Sequence, residues 1–192
     1  AAFAAAPPPP AVVAKAWVVA DLSSGQTLAA HGADERFEPA SLTKLMTAYV
    51  VFGALRDKKI TLDQQVSVST KAWKAPGSRM FIEPRRPVNV DELIRGVVVQ
   101  SGNDACIALA EAVAGDEAVF VQMMNREAAR LGMKNTKFMN ASGLPDAQHY
   151  STAHDLYLLT AALIRDFPNE YAQYYSQKEY RYNGITQPNR NR

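Results

Sequence analysis

An α+β fold is expected from three features of the 192-residue sequence. Two strand-like runs open it, a succession of helix-patterned segments fills the middle, and one strand-like run stands near the end. The segments carry neither an internal repeat nor heptads, which argues against a solenoid or a coiled coil. The composition is that of an ordinary globular domain, 47% hydrophobic and 21% charged, so a chain of this length can build a core without disulfides. Its length fits one domain, or one domain carrying a subdomain.

The first strand signal is Val12 to Ala20, with Val12, Val13, Trp17, Val18 and Val19, broken by Asp21-Leu22-Ser23-Ser24-Gly25. Gln26 to Ala30 returns as its hairpin partner. After Pro39 a helix is expected, because Leu45, Ala48, Tyr49, Phe52 and Leu55 recur at three and four residues and form one apolar stripe. Thr61 to Ser69 reads as a turn and a short extended piece, and 73–87, rich in Pro, Gly and Arg, reads as a loop.

Asn89 followed by Glu92 is an Asn version of the capping box and starts the next helix. Gln100-Ser101-Gly102-Asn103 interrupts it. The helix beyond, from Ala105 to Val113, is apolar on nearly all sides and should be buried. Asp116 caps a further helix that stops at Gly132. Residues 133–150 form a long irregular segment containing Ser142-Gly143-Leu144-Pro145-Asp146. Ser151 is placed as the cap of a helix that Pro168 ends. Glu179 to Tyr182 is strand-like and Asn183-Gly184 turn-like.

Charge excludes some function classes. Lys plus Arg number 21 against 19 Asp plus Glu, a net +2 with the signs interspersed, so nucleic acid is not an expected partner. No run reaches the roughly 20 apolar residues needed to span a bilayer. The single cysteine, Cys106, cannot form an internal disulfide and reads as a buried small side chain. Residues 1–11 read as a flexible Ala/Pro-rich segment. It is either the mature start of an exported protein, since small residues of this kind flank signal-peptidase sites, or a low-complexity linker.

Chemistry concentrates in two places. Ser41-Leu42-Thr43-Lys44 stands at a helix start, and a spacing of three puts Ser41 and Lys44 on one face, about 5 to 6 Å apart at Cβ. A serine hydroxyl needs a base beside it to act as a nucleophile. A lysine amine can be that base when burial and neighbouring positive charge lower its pKa. The competing reading is a serine cap followed by a solvated lysine. The second place is Ser101-Gly102-Asn103, a polar tripeptide between two apolar helices. Its serine can relay a proton and its asparagine can hydrogen-bond an amide through both ends. The competing reading is an ordinary interhelical turn.

Together the two motifs, 57 residues apart from Lys44 to Ser101, resemble those of the penicillin-recognising serine enzymes. The wording of 39–47 and 101–105 is closest to the low-molecular-mass D-alanyl-D-alanine carboxypeptidases. Gly132 to Thr136, the Tyr150-Ser151-Thr152-Ala153 helix start, Tyr182 to Ile185 and Asn189-Arg190-Asn191 also look like that family. The likeness runs over about 12–192. It implies an α+β penicillin-binding/β-lactamase-like fold: a helical subdomain with N-terminal strands of an antiparallel sheet whose remaining strands lie beyond residue 192. The family's Lys-Thr-Gly motif does not occur in the sequence. The expectation is therefore an incomplete DD-peptidase domain over 12–192, truncated before that strand.

The resemblance also implies roles. Ser41 is the nucleophile, Lys44 its general base, Ser101 the proton relay to the leaving amine and Asn103 the group that positions the substrate amide. The implied substrates are peptidoglycan stem peptides ending in D-Ala-D-Ala, with β-lactam antibiotics acylating the same serine. No metal and no cofactor are implied. The place is the bacterial periplasm or cell envelope, and any membrane anchor would lie outside this chain.

Two rivals are a class A-like β-lactamase and a non-catalytic penicillin-fold module that binds peptidoglycan or a partner. The first usually has Ser-Asp-Asn rather than Ser-Gly-Asn and needs a glutamate to activate water, for which Glu170 is the nearest candidate. Retention of Ser41, Lys44, Ser101 and Asn103 together argues against the second. His31, His149 and His154 lack metal-ligand spacing and are assigned to surface or capping roles. Arg85 and Arg86 are read as solvated, and Arg190 as an attractor of an anionic substrate.

Overall fold

The computed structural model describes residues 11–191, so the expectation for residues 1–10 lies outside the described residues. Strands β1 (Trp17–Ala20) and β2 (Thr27–His31) form an antiparallel hairpin with Trp17 opposite His31. The strand is shorter than the apolar run suggested. Asp21 closes the turn by accepting from Ser23 Oγ at 2.6 Å and Ser24 N at 2.6 Å. A 3-10 turn, Ala40–Leu42, leads into α1 (Thr43–Arg56). Then come β3 (Gln65–Val66), α2 (Thr70–Trp73) and β4 (Val88–Asn89), with β3 antiparallel to β4. Helices α3 (Val90–Gln100), α4 (Asn103–Ala114) and α5 (Glu117–Arg130) follow. The chain continues through α6 (Ala153–Asp166), α7 (Pro168–Tyr175) and the antiparallel hairpin β5 (Glu179–Tyr182) and β6 (Ile185–Pro188).

The core is helical, with α1 and α4 at its centre. The apolar stripe expected on α1 is wider in the structure. Met46, Val50, Val51, Phe52 and Ala54 are all buried, because α3, α4, α5 and α6 surround the helix. Phe52 and Tyr174 stack at 5.8 Å and Phe167 closes the group. Truncating a fully buried Phe such as Phe52 costs about 3–5 kcal/mol. Helix α4 is buried without a break from Asn103 to Ala110, as its composition predicts.

The Asn89 capping box forms, with Glu92 N donating to Asn89 Oδ1 at 2.8 Å and Asn89 N to Glu92 Oε2 at 3.0 Å. Asp116 caps α5. Three assignments change. Ser151 does not cap α6: it bridges Phe37 across a short antiparallel contact, and Thr152 takes the cap, accepting from Asp155 N at 3.0 Å. Pro168 does not only stop α6 but opens α7, where its missing N–H has no bond to lose. Residues 185–188, given no element from sequence, pair with β5 as a strand. Arg86, though exposed, donates to Asn183 Oδ1.

Residues 133–150 are irregular, as expected, yet well tied. Lys137 pairs with Tyr150, and Asn140 Oδ1 accepts from Ser142 N, Gly143 N and Leu144 N. This turn presses its backbone against the start of α1. A Cβ at Gly143, whose φ is +83°, would run into the Ala40 carbonyl, so only glycine fits there. Among the described residues, no helix is long and apolar enough to cross a membrane.

Candidate active site

Pro39 and the 3-10 turn set the local geometry. Ala40 sits at φ +47°, a left-handed conformation that a non-glycine residue adopts only when its surroundings hold it there. Ser41 follows on the exposed side of the turn, and Lys44, one turn later, points inward and is 5% exposed. Its Nζ lies 3.4 Å from Ser41 Oγ, 2.8 Å from Asn103 Oδ1 and 2.6 Å from the Ser142 carbonyl. Burial pushes the Lys44 amine below its ordinary 10.5, and the nearby Arg190 charge pushes the same way. A neutral amine has two N–H bonds and one lone pair. When Asn103 and Ser142 accept the two N–H bonds of the neutral form, its lone pair is left for the Ser41 hydroxyl, to which the ammonium form donates.

Ser101 ends α3 in the left-handed region, φ 59° and ψ 39°. Its hydroxyl oxygen is buried without a hydrogen-bond partner among the described residues. Left-handed backbone costs about 1–2 kcal/mol for a non-glycine residue, and an unpaired buried hydroxyl about 1–3 kcal/mol more. Both penalties fall on one residue facing one cavity, a cleft of about 510 Å³ that Ser41, Lys44, Ser101, Tyr175, Asn189 and Arg190 help to line. Such a concentration of cost is the signature of a site rather than of a packing turn.

Asn103 opens α4 and is buried beside Lys44. Its carbonyl accepts from Lys44, and its amide donates to the Pro76 carbonyl at 2.7 Å. Both ends are therefore engaged by the protein, and the side chain anchors the lysine. Asp104 beside it fastens the 80–82 loop. Its carboxylate accepts from the main-chain N–H groups of Met80, Phe81 and Ile82 at 3.0, 2.8 and 3.2 Å. A side chain at Gly102 would meet that carboxylate at 2.9 Å and the Met80 nitrogen at 3.2 Å, which explains why the middle residue of Ser101-Gly102-Asn103 has none.

The structure thus brings together Ser41, Lys44, Ser101 and Asn103. It adds what sequence reasoning missed: the Ser142 carbonyl, Asp104 and Tyr175. A main-chain acceptor leaves no mark in a sequence beyond the turn-forming Ser142-Gly143 pair. One histidine assignment is corrected. His149 is neither on the surface nor a cap. It is buried, with Nε2 2.8 Å from Thr43 Oγ1 and Nδ1 accepting from Met139 N at 3.2 Å. Cys106 is buried, as expected, and burial pushes its thiol up to about 12, leaving it unreactive. Glu170 does not line the cleft.

Residues 2–192 match the D-alanyl-D-alanine carboxypeptidase family, peptidase family S11. The chain belongs to this family. D-alanyl-D-alanine carboxypeptidase DacC of Escherichia coli is 49% identical over 189 residues, which cover 95% of this chain and 47% of that protein. The family chain spans about half the length of the curated relatives it matches first. Penicillin-binding protein 5 from Haemophilus influenzae superposes with a TM-score of 0.94 at 43% identity, covering 97% of this chain and 55% of the other. Penicillin-binding protein D2 from Listeria monocytogenes, in an ampicillin-bound form, does so with 0.85 at 29% identity, covering 96% and 75%. The α+β fold is that of the penicillin-binding proteins, as the two motifs led one to expect.

Proposed function

We propose that this chain carries the acylating machinery of a serine DD-carboxypeptidase that trims the terminal D-alanine from peptidoglycan stem peptides. The observation that carries the reading is the buried, doubly anchored Lys44 amine beside the Ser41 hydroxyl. Lys44 takes the proton of Ser41 as its oxygen attacks the carbonyl between the two D-alanines. The peptide C–N bond breaks, and the unpaired Ser101 hydroxyl passes a proton to the departing amine while accepting one from the Lys44 ammonium. D-Alanine leaves and Ser41 holds the acyl ester. Water then hydrolyses the ester, returning the proton to Ser41. Asn103 orients Lys44 throughout, and Arg190, which helps to line the cleft, attracts the anionic substrate. No step calls for a cofactor.

A β-lactam presents a strained amide in place of the dipeptide and acylates the same oxygen, in keeping with the ampicillin-bound form of the Listeria relative. Residues 12–192 form part of a DD-peptidase domain on this reading, and the substrate places the protein in the periplasm or cell envelope. Penicillin treatment of the full-length protein followed by peptide mass spectrometry tests it. The adduct is expected on the peptide containing Ser41, and release of D-alanine from a D-Ala-D-Ala peptide is expected to vanish in Ser41→Ala. An adduct elsewhere, or activity that survives the substitution, overturns the assignment. Rapid turnover of penicillin would instead favour a β-lactamase, against which the position of Glu170 outside the cleft already counts.

A further inference from the structure

We infer that His149 is a positioning residue for Lys44, latching the 139–149 segment to Thr43 so that the Ser142 carbonyl is held against the lysine amine. The inference rests on the reading of Lys44 as the base of Ser41.

The tautomer is dictated by the backbone. Met139 N–H donates to His149 Nδ1 at 3.2 Å, so that nitrogen is bare. The ring proton is therefore on Nε2, which donates to Thr43 Oγ1 at 2.8 Å. Thr43 is fully buried and precedes Lys44 in the chain. The imidazole thus spans from the main chain at residue 139 to the first turn of α1, with its ring edge-on to Phe138 at 5.7 Å.

Between these anchors lies the stretch that grips the lysine. One turn further along α1, Thr47 Oγ1 donates to the Ala141 carbonyl at 2.6 Å, and Ala141 N donates to the buried Glu117 carboxylate at 2.9 Å. Three side chains of one helix face, Thr43, Lys44 and Thr47, are therefore bonded to 141–149. Thr47 fixes the entry of the segment and His149 its exit. Without the exit anchor, the Asn140 turn keeps side-chain bonds to α1 only through Thr47 and Lys44 itself, because the bridges of residues 150 and 151 run to Lys137 and Phe37 rather than to α1. The Ser142 oxygen can then drift from Nζ, and the amine lone pair loses its aim at Ser41. Binding of a β-lactam in the cleft does not use this bond. Bond formation does, and a misplacement of about 1 Å in such a geometry costs about 100-fold in rate.

The test separates binding from bond formation in the full-length protein, by stopped-flow acylation with a fluorescent penicillin. His149→Asn keeps an acceptor for Met139 N–H but cannot reach Thr43. Thr43→Val removes the hydroxyl from the other side and keeps the shape. Both are expected to lower the acylation rate constant about 10- to 100-fold with the pre-covalent dissociation constant unchanged, and Thr43→Ser is expected to retain the wild-type rate. Folding is followed by near-ultraviolet circular dichroism, and should His149→Asn not fold, the Thr43 pair decides. An acylation rate equal to wild type in folded His149→Asn or Thr43→Val overturns the latch. So does a parallel weakening of binding, which marks a merely structural role. In either case a wild-type adduct on Ser41 leaves the proposed function intact, whereas no adduct on Ser41 removes both.

Discussion

Lys44 Nζ meets the main-chain carbonyl of Ser142 at 2.6 Å, closer than it meets the hydroxyl of Ser41, one helical turn away, at 3.4 Å. The lysine is thus gripped from a segment 98 residues distant and only poised toward its sequence neighbour. The hold is what lets a buried amine keep one direction for its lone pair.

The Lys44 amine titrates below its ordinary 10.5, from burial first and from Arg190 beside it. The neutral amine is the active form, so the acylation rate rises as pH rises through this lowered value. Arg190→Gln removes a neighbouring cation that disfavours the ammonium. The rising limb of the pH profile should therefore move to higher pH, while Arg190→Lys leaves it nearly in place. Lys44→Met should lower the acylation rate by about 10² to 10⁴-fold at every pH. A limb in Arg190→Gln that stays where it was would exclude the charge as a contributor.

Ser101 combines left-handed backbone with an unpaired buried hydroxyl. Ser101→Gly relieves both, and a rise in stability of about 1 kcal/mol is expected, seen as a higher melting temperature. The same change removes the proton relay and should lower D-alanine release by about 10² to 10⁴-fold. A variant that is both less stable and fully active would contradict the relay.

Gly143→Ala puts a methyl group into the Ala40 carbonyl and onto a φ of +83°. Overpacking against backbone costs about 1–3 kcal/mol, and the strain at positive φ adds to it. Denaturant unfolding should report the loss. Acylation should fall further than stability alone explains, because the displaced turn carries the Ser142 carbonyl.

Burial holds the His149 imidazole below its ordinary 6.5, although the Asp146 and Glu38 carboxylates facing it work the other way. A histidine whose folded pKa is lowered binds its proton more readily when unfolded. Its contribution to stability is therefore complete above pH 6.5 and is lost as pH falls from there toward the folded value. The melting temperature of the wild type should fall more steeply across that window than that of His149→Asn. Parallel slopes would mean that folding leaves the proton affinity of the imidazole unchanged.

Much of the fold was legible because it follows from local chemistry. Asn89 and Glu92 form their box within one turn, Asp116 caps its own helix, and the apolar run of α4 demands burial wherever it lies. The errors arose where a residue has two local uses. Pro168 can end a helix or begin one, and the packing of Tyr174 against Phe52 chose the second. Ser151 could cap α6, but pairing with Phe37 and a hydroxyl contact with Thr136 left the cap to Thr152.

At the site the division is similar. The spacing of Ser41 and Lys44 on one helical face, and the presence of Ser101 and Asn103 between two apolar helices, are properties of the sequence, since helical geometry converts them directly into position. The lowering of the lysine's pKa, the Ser142 carbonyl that holds it, the tautomer of His149 and the unpaired Ser101 hydroxyl are not. Each depends on which main-chain groups and buried surfaces arrive from elsewhere in the chain. Backbone acceptors are the same at every residue, and desolvation exists only once the core has closed.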